Sequence, residues 1–82
     1  MGKIPVTVWI PAIGQSHDFL IPSNMAVKDV VSLMVNILVS EYGVFKSLAD
    51  IVLLDMSDGK ALKPDCSFTQ LGITDGAKLI LT

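Results

Sequence analysis

Residues 3–10 read Lys-Ile-Pro-Val-Thr-Val-Trp-Ile, and residues 78–82 read Lys-Leu-Ile-Leu-Thr. In the first stretch, the even-numbered positions are aliphatic and the odd ones are mixed, which predicts a half-buried β-strand. The second stretch predicts a final strand over 78–81. Both are apolar enough to lie at the centre of a sheet, yet they are too far apart to form a hairpin. We therefore expect them to pair in parallel, which requires a crossover between them.

The segments between these two strands supply that crossover. Apolar residues at positions 27, 30, 31, 34 and 38 share one side of a helix, and Gly43 is expected to end it. Phe68 and Leu71 suggest a single helical turn in the connector before the last strand. The remaining elements are strands over 17–21, over 51–54 and near 61–62, and a helix over 26–40. This β-β-α-β-β-β order predicts one α+β domain over residues 1–82, a β-grasp with one helix packed on a mixed sheet.

Composition excludes several classes of protein. Of the 82 residues, 51% are hydrophobic and 17% are charged, and the formal net charge is −2. Such a chain is too apolar for intrinsic disorder, and it lacks the basic stripe of a nucleic-acid binder. Its longest strongly apolar run, residues 30–39, is shorter than the roughly 20 residues that span a bilayer. With no signal peptide visible, we expect a cytoplasmic protein without a membrane span.

No residue pattern predicts catalysis or a bound metal. His17 is the single histidine, and the sequence provides no orienting partner for it, so we interpret it as an ordinary strand residue. Cys66 is the single cysteine, which excludes an intramolecular disulfide and a Cys/His zinc set. We therefore predict neither enzymatic activity nor a cofactor.

The helix contains more apolar residues than the packing of one helix on one sheet requires. Leu33 and Ile37 lie on one flank of the buried side, and Val35 and Val39 lie on the other. An exposed apolar patch on a small protein marks an interaction site. The alternative is that residues 44–49 fold over these flanks and cover them.

The strand over 51–54 shows the same excess, because all four of its residues are large and apolar. Two of them must point to the outer face of the sheet, either Ile51 with Leu53 or Val52 with Leu54, and Ile80 can join them there. The candidate interaction residues are therefore Ile51, Val52, Leu53, Leu54, Ile80, Leu33 and Ile37.

Several short segments resemble the ubiquitin-like pattern. They are Asp58-Gly59 with Leu62 three residues on, Phe68-Thr69-Gln70-Leu71-Gly72-Ile73, and Asp75-Gly76 before the terminal apolar strand. Together with residues 4–12, Ile21-Pro22 and the valine-rich helix, they make the whole chain resemble the YukD/EsaB family of small bacterial ubiquitin-like proteins. That resemblance implies an association with type VII (WXG-protein) secretion.

The resemblance implies a non-catalytic, non-conjugating protein-interaction module, an accessory or regulatory component of a type VII secretion system. Ubiquitin ends in a flexible Gly-Gly tail, whereas this sequence ends at Thr82 directly after a strand, which favours the absence of conjugation. The expected partner is another protein, such as a membrane-bound component of the apparatus, or a second copy. The chain would then be cytoplasmic, or peripheral to the membrane complex. The alternatives are a ubiquitin-like small subunit of a multicomponent enzyme and a carrier or modifier protein.

Overall fold

A computed structural model describes residues 2–43 and 51–82. In chain order the elements are β1 (Lys3–Ile10), β2 (Gln15–Pro22), α1 (Val27–Tyr42), β3 (Leu53–Asp55) and β4 (Ala77–Leu81). The four strands form one sheet in the order β2-β1-β4-β3. β1 and β4 are parallel, and the two outer pairs are antiparallel. The predicted β-grasp, with its central parallel pair and a single crossover helix, is confirmed.

The first hairpin forms as the alternation of β1 predicts. β1 and β2 pair without interruption from Lys3 opposite Pro22 to Ile10 opposite Gln15. In the connecting turn, the Gly14 N–H donates to the Ile10 carbonyl at 3.0 Å, and the φ of Gly14 is 64°, a conformation that favours glycine. The even-numbered residues of β1 face the core, and the odd-numbered ones lie on the outer face of the sheet.

The helix covers the inner face of the sheet. Its buried residues are Val27, Val30, Val31, Met34, Val35 and Leu38, and they join the buried strand residues in one core. Val35 was expected on an apolar flank, but it is a core residue with 6% of its surface exposed. Gly43 ends the helix as predicted, with a φ of 89° and its N–H donating to the Val39 carbonyl at 2.8 Å.

The N-terminus of α1 is capped by backbone carbonyl groups of the connector and not by a side chain. The Val27 N–H donates to the Cys66 carbonyl at 2.8 Å, and the Lys28 N–H donates to the Pro64 carbonyl at 3.0 Å. These bonds satisfy two of the donors that every helix leaves open at its start. They also tie the helix to the connector that carries Phe68, which is fully buried.

The third strand is shorter than predicted. β3 begins at Leu53, although Val52 still exchanges two backbone hydrogen bonds with Thr82, at 2.7 and 3.0 Å. The short strand expected near residues 61–62 is not formed, because that segment makes a single isolated bridge between Ala61 and Leu54. The residues at 44–49 that were considered as a cover for the helix flanks lie outside the described part of the chain.

Candidate interaction surface

The structure decides which residues of the 51–54 segment face outward. Ile51 and Leu53 are buried, with 8% and 2% of their surface exposed, so of the two alternative pairs this one faces the core and does not lie on the outer face. Leu53 lies opposite Leu81, which is also buried, and both point to the core. Because side chains alternate along an extended chain, Val52 and Leu54 take the outer face.

Leu54 and Ile80 belong to one row of apolar side chains that crosses three strands. Ile80 lies opposite Leu54 on β3 and opposite Trp9 on β1. Neighbouring strands are about 4.8 Å apart, so the Ile80 side chain is within reach of both Trp9 and Leu54. Val52 is two residues before Leu54 and lies on the same face, with 42% of its surface exposed. We call Trp9, Val52, Leu54 and Ile80 the outer-face patch.

Trp9 was not among the candidate residues from the sequence. The alternation of β1 indicates that it points away from the core, but its proximity to Ile80 depends on the parallel register between β1 and β4. With 37% of its surface exposed, its indole is the largest side chain of the patch. Tryptophan is enriched among the residues that dominate binding energy at protein interfaces.

A polar row borders the outer-face patch. Thr7 lies opposite Asp18 on β2 and opposite Lys78 on β4, on the same face of the sheet. The Thr7 hydroxyl donates to the Asp18 carboxylate at 2.8 Å. This row carries one negative and one positive charge, so the surroundings of the patch are nearly neutral. Such a surface suits a dry apolar contact with a polar rim.

Leu33 and Ile37 form a separate apolar surface. They are exposed by 40% and 39%, and both lie on α1, in the layer that covers the inner face of the sheet. The outer-face patch is on the opposite side of that sheet, so the structure does not bring the two sets of candidates together. A single small partner segment would therefore contact one surface or the other.

His17 and Cys66 both take part in hydrogen bonds that connect elements of the fold. The Tyr42 hydroxyl donates to the side-chain oxygen of Gln15 at 3.0 Å and lies 2.9 Å from Nε2 of His17. Because that hydroxyl has one proton, His17 is the donor to it through Nε2–H. The cluster links the end of α1 to β2. Cys66 is half-buried, and its carbonyl accepts the bond that begins the helix.

In comparisons with known proteins, no family model and no curated protein matches the chain. Solved structures do match. The EccD5 ubiquitin-like domain from Mycobacterium xenopi is 18% identical, with a TM-score of 0.79 over 100% of this chain and 94% of its own. Caldiarchaeum subterraneum ubiquitin is 20% identical, with a TM-score of 0.74 over 98% of this chain and 91% of its own. The fold is the ubiquitin-like β-grasp.

A third ubiquitin-like structure agrees with these two. The UBL domain of Plasmodium falciparum Dsk2 is 21% identical, with a TM-score of 0.72 over 98% of this chain and 99% of its own. At such identities the likeness establishes the ubiquitin-like fold alone. In residues 2–43 and 51–82, no helix is long and apolar enough to cross a membrane.

Proposed function

We propose that this chain is a non-catalytic, non-conjugating ubiquitin-like module that binds another protein through its outer-face patch. The observation that carries the proposal is the row formed by Trp9, Ile80 and Leu54, which lies on the sheet face opposite the helix. Within the described residues, no element of the chain packs over this face. An apolar row left open on a small domain is a common feature of protein-binding surfaces.

The composition of the patch indicates how a partner binds to it. Val52 and Leu54 present aliphatic side chains, and Trp9 adds an aromatic ring with an N–H donor. Binding energy would come mainly from burial of this apolar area, reduced by the translational, rotational and side-chain freedom that is lost on association. Lys78 and Asp18 at the border would contribute to the orientation of the partner more than to its affinity.

We further propose that the partner belongs to a type VII secretion system, with the chain in the cytoplasm or at the periphery of the membrane complex. This part of the proposal rests on the resemblance of the sequence to the YukD/EsaB family. The ubiquitin-like domain of EccD5 shares the fold and is consistent with it.

Two paired double variants test this function. V52D/L54D places two carboxylates in the outer-face patch, and L33D/I37D does the same on the exposed side of α1. Affinity capture from the native host, followed by mass spectrometry, compares both with the wild type. We expect V52D/L54D to lose a secretion-apparatus protein that the wild type and L33D/I37D retain.

The stability of both variants is the control. Since all four residues are at least partly exposed, the free energy of unfolding should change by about 1 kcal/mol or less. Capture that survives V52D/L54D, or that is lost in L33D/I37D alone, would contradict binding through the outer-face patch. A captured protein unrelated to secretion would contradict the pathway but not the patch.

A further inference from the structure

β2 is an outermost strand of the sheet, and within residues 2–43 and 51–82 no strand lies beside half of its backbone groups. Pro5 identifies which half, because its carbonyl accepts the Gly76 N–H at 2.8 Å on the side towards β4. The N–H and C=O of a strand residue point to the same side, and that side alternates along the strand. Leu20, the register partner of Pro5, and likewise Asp18 and Ser16, therefore direct both groups away from β1.

This edge carries few of the features that normally keep an edge strand from pairing, namely Pro22 at its end and the single charge of Asp18. Natural edges are blunted by lysines, bulges or short length. β2 has eight residues in unbroken register and contains no lysine. Its one charged side chain, Asp18, is held towards β1 by the hydroxyl of Thr7. Leu20 is 61% exposed, more than any other large hydrophobic residue in the described part of the chain.

We propose that β2 pairs antiparallel with β2 of a second copy of this chain, around a two-fold axis at Asp18. In that register, Ser16 of each copy lies opposite Leu20 of the other, and the two Asp18 residues face each other. The outward groups of Ser16, Asp18 and Leu20 are symmetric about this axis, so every outward N–H meets an outward carbonyl. A surface that is complementary to itself is what a two-fold dimer requires.

The side chains fit the same register. Leu20 falls beside Ser16 of the second copy, and Ser16 is next to Trp9 on β1. Because serine is small, Leu20 can reach across it to the indole ring, which buries apolar surface on both copies. On the inner face, His17 of one copy lies opposite Phe19 of the other, and aromatic cross-strand pairs of this kind are stabilising.

The two Asp18 side chains make an unfavourable contribution to the stability of the dimer, and this contribution provides a test of the register. Like charges directly opposite each other weaken an antiparallel pair. The contact is also small against the roughly 1,200 Å² that stable interfaces bury, so we expect a reversible dimer that depends on concentration. Removing the charge should strengthen this register, whereas a register shifted by two residues would place Asp18 opposite Leu20.

Sedimentation velocity on the full chain, over a concentration series, measures the dimer. Leu20→Pro removes one outward N–H from each copy and should raise the dissociation constant by about tenfold or more. Because β1 does not use that N–H, the monomer should keep its fold, which amide NMR spectra verify. Leu20→Ala is the matched control, since it retains the N–H and should weaken the dimer by about threefold. Asp18→Asn should strengthen it by about threefold.

Several results would overturn the proposal. The first is that the chain stays monomeric at millimolar concentration. This includes the case in which its β2 edge binds a strand of another protein instead of a second copy. Another is a dimer that Leu20→Pro and Leu20→Ala weaken equally. If Leu20→Pro does not fold, Asp18→Asn still tests the proposal. An axis at Asp18 is excluded if Asp18→Asn leaves the dissociation constant of the dimer unchanged or raises it.

Discussion

Leu53 and Leu54 are identical neighbours whose truncation should have very different costs. Leu53 has 2% of its surface exposed and lies in the core, while Leu54 is half-buried on the outer face. We therefore predict that Leu53→Ala strongly destabilises the protein and that Leu54→Ala does not. The comparison is well matched, because the same atoms are deleted from adjacent positions of one strand.

The magnitude follows from burial. Deleting the buried atoms of Leu53 loses about 0.8 kcal/mol for each CH₂ group, and the residual cavity brings the total to roughly 3 kcal/mol. For Leu54 the side chain is already partly in contact with water, so about 1 kcal/mol or less is expected. A domain of this length has about 4–12 kcal/mol of stability in total. The loss at Leu53 is thus a large share of the whole.

Equilibrium urea denaturation measures both changes, and equal slopes for the variants and the wild type would validate the comparison. Thermal unfolding should show a fall of roughly 12–24 °C for Leu53→Ala, since 1 kcal/mol corresponds to about 4–8 °C in a domain of this size. Equal losses at the two positions, or a larger loss at Leu54, would refute the assignment of inner and outer faces on β3.

Three further predictions concern local contacts. Tyr42→Phe removes the hydroxyl that bonds to His17, so it should cost about 1 kcal/mol in urea denaturation, and an unchanged midpoint would show that the contact contributes nothing. Gly76→Ala should cost about 1–2 kcal/mol because φ is 81° there, whereas the control Gly2→Ala should be neutral by thermal unfolding. Gln70→Ala removes the acceptor of a buried backbone N–H at 2.8 Å and should lower stability by about 1 kcal/mol, while Gln70→Glu should largely retain it.

Local patterns were sufficient for the elements whose two faces differ in polarity. The alternation of residues 3–10 correctly assigned the inner side of β1, and the helical spacing from Val27 to Leu38 correctly assigned most of the buried side of α1. Both assignments are correct because burial of one face requires apolar residues at a fixed period, and that period is visible in the sequence. Val35 was misassigned because the apolar arc of the helix is wider than its buried side, so the arc alone does not show which of the residues near its boundary face the core.

The strand expected near residues 61–62 could not be predicted correctly from the local sequence pattern. Ala61 makes one bridge to Leu54, and the chain does not continue along β3. A turn signal followed by two apolar residues is compatible with a strand or with a brief contact. The number of hydrogen bonds that form depends on the position of the neighbouring strand.

The sequence by itself determined the order of the four strands and the helix that form, the parallel pairing of the first and last strands, and the excess of apolar residues over what the core needs. Only the tertiary structure decided where that excess lies. Residues 51–54 are apolar at every position, so no local period distinguishes Ile51 and Leu53 from Val52 and Leu54, and the choice required the register of β3 against β4. Trp9 and Ile80 are distant in sequence, and they become neighbours through a parallel pairing whose register no short segment encodes.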